Sequence, residues 1–265
     1  MINLWRAHSE FYGNLMRHRG LIWNLAKRDL VARYKGSVLG FLWTIVNPLL
    51  LMLTYSVVFS FISRFEIPDY PLYVLLGILV WQTIANSINE SATSIHGAGG
   101  LVTKTPLPPE IIPAKVVLSQ FLNFSLAFTV YLAFAALVYQ RLSWQFLLFP
   151  LFMFFMLFFV LYLSVIIALT SVLMKDIQQL TNNILTILFF STPVVYTMQT
   201  VPGKVQTLLL LQPIAQLLDI SSALFFWGKH PRVGACLSVI LFTAFLQFAA
   251  VYTVTLLRRK IAENV

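Results

Sequence analysis

The first residues to weigh for chemistry are the four histidines and the single cysteine. His8, His18, His96 and His230 are scattered, with no His-x-x-x-His pair, and Cys236 has no ligand-type neighbour at metal-binding spacing. A lone cysteine closes no intrachain disulfide. The stretch Gly97-Ala98-Gly99-Gly100-Leu101-Val102-Thr103-Lys104-Thr105 invites comparison with a phosphate-cradling loop. That motif needs glycine directly before the lysine, and Thr103 stands there; no strand pattern precedes it either. The stretch therefore reads as a turn. A transferase would need paired acidic or histidine residues, and Asp29, Glu110 and Asp176 are far apart in the chain.

The other polar residues recur at helical spacing inside long apolar runs. Gly40, Thr44, Asn47, Leu51 and Tyr55 follow one another at intervals of 4, 3, 4 and 4, which places them on one helix face. Pro48 sits beside that face and predicts a kink. Gln82, Asn86, Asn89 and Thr93 form a second row, with Thr83, Ser87, Glu90 and Ser94 on the adjacent one. Gln179, Asn183, Thr186, Phe190, Pro193 and Thr197 form a third. Neutral amides and hydroxyls do hydrogen-bonding chemistry. Within an apolar helix they serve either helix–helix contacts or a polar path. Three rows together favour a path. Its one fixed charge is Glu90, near an end, so the cargo is expected to be neutral or bulky and its energy source elsewhere.

Those rows need helices to carry them, and composition says where the helices lie. The chain is 59% hydrophobic and 10% charged, with mean hydropathy +0.82. A soluble domain carries about 25% charge. Six apolar runs each reach the roughly 20 residues that cross hydrocarbon as a helix. They are Val38–Ile62, Leu72–Ile95, Val116–Tyr139, Trp144–Leu173, Leu180–Met198 and Val233–Leu257. The fourth, purely apolar and aromatic from Phe146 to Phe159, is expected to face lipid. None shows the alternation of a barrel strand. The run Val205–Trp227 is interrupted by Gln212-Pro213 and Asp219, and reads as a re-entrant pair of short helices.

Charge orients the spans. Six crossings place thirteen basic residues on one side and five on the other. The positive-inside rule then predicts that both termini are cytoplasmic. A seventh crossing would send Arg258-Arg259-Lys260 outside, against that rule. The net charge of +9 reads the same way, as loops facing anionic lipid rather than a nucleic-acid surface. Residues 1–37 are basic throughout and lack an uninterrupted apolar core, so they are not a signal peptide. Trp5, Phe11, Tyr12, Leu21, Ile22, Trp23, Leu25 and Leu30 interleave with the charges there, which suits helices at the cytoplasmic interface. The expected organisation is an interfacial segment, 1–37, and an all-α membrane domain, 38–265.

The order of motifs resembles a known family. Arg28-Asp29-Leu30-Val31-Ala32-Arg33-Tyr34-Lys35-Gly36-Ser37-Val38-Leu39-Gly40-Phe41-Leu42-Trp43, followed by Asn47-Pro48-Leu49, resembles the start of ABC-2 type polysaccharide-export permeases. These include Wzm-like O-antigen exporters and teichoic-acid exporters. Lys104-Thr105-Pro106-Leu107-Pro108-Pro109-Glu110-Ile111-Ile112-Pro113 resembles their loop between spans two and three. Lys175-Asp176-Ile177 and Ser191-Thr192-Pro193-Val194-Val195-Tyr196 are similar to their fourth loop and fifth span. Leu107 stands where an aromatic residue is common, and Gln212 where the family usually has Asn before the proline.

The resemblance implies a homodimer of permeases working with two copies of a separate ATPase. ATP and Mg would then sit on that partner and no cofactor on this chain. The cargo would be a polysaccharide linked to a polyprenyl diphosphate, moved across the bacterial inner membrane. Lys104, Pro106, Pro108, Pro109 and Glu110 would couple to the ATPase. Arg28, Arg33 and Lys35 would attract the lipid headgroup. Gly40, Thr44, Asn47, Tyr55, Gln82, Asn86 and Tyr196 would line the sugar path, amides trading hydrogen bonds and rings offering flat faces. A teichoic-acid or capsule exporter, an ABC-2 exporter of a small lipid or drug, and a membrane-embedded glycosyl- or acyltransferase are the alternatives.

Overall fold

A computed structural model of the chain describes residues 4–62, 67–97, 107–174 and 176–264, with side chains from 5 to 257 except 41 and 60–62. Among the described residues the secondary structure is helical throughout. Two helices, α1 (Leu4–Arg17) and α2 (Arg19–Tyr34), precede α3 (Trp43–Ile62), α4 (Tyr70–Gly97), α5 (Ile111–Leu137), α6 (Phe149–Leu173) and α7 (Asp176–Ser191). A short pair, α8 (Gly203–Leu211) and α9 (Pro213–Phe225), leads to α10 (Val233–Asn264).

Four helical stretches are long and apolar enough to cross a membrane: Tyr70–Gly97, Ile111–Leu137, Trp144–Leu173 and Val233–Leu257. The pair α8 and α9, bent by 100°, makes a fifth if it counts as one span. The described apolar part of α3, Trp43–Phe59, and the 16-residue α7 are shorter.

The core is α4 wrapped by α5, α6 and α9. Leu72, Leu75, Leu76, Ile78 and Ile84 of α4 are almost fully buried, as are Phe121, Phe124 and Tyr131 of α5. The run Phe146–Phe159, expected to face lipid, is exposed on one side only. Leu147, Leu151 and Phe154 point outward, but Phe152, Met156 and Phe159 are buried. Phe149 stacks on Phe128 at 3.8 Å between centroids, and Phe225 of α9 closes edge-on against both. Offset and edge-to-face aromatic pairs pack this densely because ring faces and edges carry opposite partial charge.

The fifth apolar run also differs from its expectation. Its helix ends at Ser191, so Pro193 and Thr197 do not continue the α7 face. Pro193 supplies no backbone donor, and α4 takes up the carbonyls freed beyond it. The Tyr70 hydroxyl donates to Val195 O at 2.7 Å, and that of Tyr73 to Tyr196 O at 2.7 Å. Gly77 completes the fit, because a Cβ there would strike the Val194 carbonyl.

The break at Gln212-Pro213 is where the sequence put it. Pro213 occupies the first turn of α9, the position that tolerates a missing N–H. The buried Gln216 amide donates back to Leu209 O at 3.1 Å, closing the end of α8.

Candidate functional site

A pocket of about 340 Å³ opens between α3, α4 and α5, with the end of α2 as its rim. It collects Thr44 and Asn47 from α3, Gln82 and Asn86 from α4, and Gln120 and Asn123 from α5. The helical period explains the first four, since each pair shares a face.

The α2 rim is held by hydrogen bonds. Thr44 Oγ1 donates to the Tyr34 hydroxyl at 2.7 Å, which donates to Asn123 Oδ1 at 2.9 Å. Arg33 Nη2 reaches both Glu90 oxygens, at 2.9 and 3.0 Å, while Nη1 reaches Gln120 Oε1 at 3.4 Å. Asp29 pairs with Lys115 further along. Residues of α2 thus advance in step with those of α5: Asp29 meets Lys115, Arg33 meets Gln120 and Tyr34 meets Asn123.

Inside the pocket three amides are available. Asn47, Gln82 and Asn86 make no hydrogen bond to other described residues. Gln120 is 1% exposed, and its Nε2 has no partner among them. A buried amide N–H without an acceptor is costly, so a ligand hydroxyl entering the pocket would meet a donor ready for it. The adjacent row on α4 serves differently. Thr83 and Ser87 are buried and return their hydroxyl protons to their own helix, on Leu79 O and Thr83 O.

The remaining expected residues fall elsewhere. Gly40 precedes α3 in a 3-10 turn, Gly40–Leu42, with φ of +49°, and does not line the pocket. Tyr55 lies farther along α3, its ring 5.5 Å from that of Phe189. The Tyr196 hydroxyl approaches Phe190 O at 3.5 Å beyond the end of α7.

The basic residues do not form one cluster. Arg33 is on the rim and paired with Glu90, Arg28 lines a separate cavity of about 580 Å³ with Asp29, Thr93 and Lys115, and Lys35 is exposed. Of the coupling residues, Lys104 and Pro106 lie outside the described residues. Pro109 and Glu110 are buried at the start of α5, with Pro108 partly so. Glu110 accepts a hydrogen bond from Asn14 Nδ2 at 2.8 Å and so ties α1 to α5 instead of facing outward.

Gln120, Asn123 and Tyr34 escaped the sequence reading. Gln120 and Asn123, three apart in an apolar helix, carry the same signal as the rows on α3 and α4. Among the described residues no cluster of His, Cys, Asp and Glu could hold a metal ion.

The all-helical architecture and its apolar spans define a multi-pass membrane protein, and the chain belongs to the ABC-2 type transporter family, which matches residues 20–226. It is thus a transport component. It is 33% identical over 253 residues, 95% of this chain and 97% of the relative, to the O-antigen export system permease protein RfbA of Myxococcus xanthus. Two O-antigen export system permease proteins RfbA of Klebsiella pneumoniae are 29% and 28% identical, each over 77% of this chain and 79% of its own.

Proposed function

We propose that this chain is the membrane permease of an ATP-driven exporter of a lipid-linked, O-antigen-type polysaccharide. The observation that carries the reading is a pocket lined by the amides of Asn47, Gln82 and Asn86, unpaired among the described residues, in a chain that aligns nearly end to end with the Myxococcus permease. A polysaccharide must slide, so its contacts are best many and weak. Each amide–hydroxyl bond contributes about 1 kcal/mol net, and successive sugars can trade one for the next. Thr44 is committed to Tyr34, so it shapes the pocket while Asn47, Gln82, Asn86 and Gln120 meet the cargo.

In this reading α3 and α7 complete six spans, both termini are cytoplasmic, and α1 and α2 lie at the cytoplasmic face of the inner membrane. The basic excess on that side supports the orientation. The working unit is a homodimer with two copies of a separate ATPase, which bind ATP and Mg. The segment 100–113 docks on that partner, and Glu110 relays its motion to α1 through Asn14. The anionic diphosphate of the carrier competes with Glu90 for Arg33, with Arg28 drawing it to the neighbouring cavity.

Deleting the gene and following the glycan tests the reading. Undecorated cells with lipid-linked polysaccharide accumulating in the cytoplasm are expected, together with copurification of a P-loop ATPase with the tagged chain. Normal surface glycan in the deletion strain would refute it.

A further inference from the structure

At the end of the bundle opposite α1 and α2 lies a second cavity, of about 530 Å³, with a mainly apolar lining and a few charged and polar groups. Its walls are the turn Met198–Thr200, α9, and the segment joining α9 to α10. Asp219 of α9 is 14% exposed and accepts on Oδ2 from Arg232 Nη2 at 2.9 Å and Nε at 3.2 Å. Its Oδ1 accepts no hydrogen bond from a described residue. Gln199 and Lys229 also line the cavity, and their side chains have no hydrogen-bond or ion-pair partner among the described residues. Trp227 supplies an aromatic wall, with Lys229 Nζ 6.0 Å from its ring centroid.

The cavity is held in shape by backbone bonds. Gly228, at φ +58°, ends α9 in the left-handed conformation that glycine adopts without strain. Trp227 N then donates to Ser222 O at 2.9 Å and Lys229 N to Ala223 O at 2.8 Å. From α6's leading turn, Gln145 Nε2 donates to Gly228 O at 2.6 Å. A site whose frame is fixed before the ligand arrives loses little on ordering.

We infer that this cavity is a saccharide-binding site, taking a short stretch of the polysaccharide as it emerges. The inference rests on the export reading above. Sugar hydroxyls both donate and accept, and they are matched by planar groups of both kinds held side by side: a carboxylate, a guanidinium and an amide. The apolar face of a pyranose needs a flat ring, which Trp227 provides. Asp219 offsets one of the two positive charges of Arg232 and Lys229, so these groups leave a single net positive charge; a carboxylate and an amide beside them suit a polyhydroxylated ligand, and the carboxylate opposes a diphosphate. The volume falls within the range of small-molecule sites, about 300–1,000 Å³. Occupancy here opposes backsliding of the chain.

The test uses the full permease–ATPase complex in detergent and oligosaccharides released by mild acid from the host's own surface polysaccharide. Saturation-transfer NMR is expected to detect binding. The double variant Gln199→Ala with Lys229→Ala, which removes side chains with no hydrogen bond or ion pair among the described residues, is expected to weaken it about tenfold. Asp219→Asn should do the same, and inorganic pyrophosphate should not compete. No binding, binding that both variants leave unchanged, or displacement by pyrophosphate would each overturn the assignment. The deletion strain separates the two readings. Cytoplasmic glycan accumulation upholds export whether or not this cavity binds sugar, and normal surface glycan refutes export even if it does.

Discussion

The first half of α4 and the whole of α7 make opposite use of apolar residues. From Leu72 to Val80 nearly every α4 side chain is buried, whereas Leu180, Ile184, Ile187 and Phe190 leave α7 more than half exposed. Helix α3 resembles α7, with Leu50, Leu53 and Val57 uncovered. An exposed apolar helix can rest in lipid, but the open side of α7 also carries Gln179, Asn182, Asn183 and Thr186. Gln179 Nε2 donates to Asn183 Oδ1 at 3.4 Å, which leaves most of the donors and acceptors of this face unmet, and such groups are expensive in hydrocarbon. The difference separates a packed scaffold, α4 to α6, from two helices whose open faces call for a partner or a wet passage. On the proposed reading that partner is a second copy of the chain.

The scaffold should fail first and hardest. Gly77→Leu would drive a side chain into the Val194 carbonyl, a backbone atom with little room to move. Overpacking costs about 1–3 kcal/mol or more, so the expected outcome is loss of monodisperse protein in size-exclusion chromatography. The same substitution at Gly234, where a Cβ meets nothing, should be silent. Equal behaviour at both positions would contradict the account of the scaffold.

The open faces predict a different result. In a Cys236→Ser background, Ile187→Cys should give disulfide-linked dimers on oxidation, while Phe154→Cys, on the outer face of α6, should stay monomeric. The reverse pattern would move the partner to the other side.

The scaffold was largely legible in the sequence. Long apolar runs have few options in a bilayer, and Gln212-Pro213 announced its break through a missing donor. The end of α7 was not legible, because it depends on Tyr70 and Tyr73 capturing carbonyls more than a hundred residues away. Half of the pocket was legible for the same periodic reason, since Thr44 with Asn47 and Gln82 with Asn86 each share a face. What periodicity could not give was the neighbour each face meets. Gln120 and Asn123 were visible as a polar pair, but only packing brings them to α3. Arg33 and Glu90, 57 positions apart, could not be paired from spacing, nor could Asn14 and Glu110.

A smaller effect is expected at the pocket. Asn47→Ala with Gln82→Ala should slow export about fivefold to twentyfold, on the order of one lost hydrogen bond each, and leave thermal stability unchanged. Both side chains are at least partly accessible and make no hydrogen bond among the described residues, so a fall in melting temperature would assign them to packing. The smallest change belongs to the rim. Glu90→Gln loosens a partly exposed ion pair that contributes about 1 kcal/mol or less to stability. Its expected signature is tighter diphosphate binding at Arg33, read as ATPase stimulation at lower carrier concentration. Unchanged stimulation would remove the competition between Glu90 and the carrier.

The central claim is that sugars pass the amides between α3, α4 and α5. Photocrosslinking in a stalled exporter tests it most directly, with a benzophenone side chain placed singly at Asn47, Asn86 or Phe154 and the glycan labelled. The account predicts glycan adducts from Asn47 and Asn86 and none from Phe154. Adducts absent from both pocket positions, in a complex that exports when released, would contradict it.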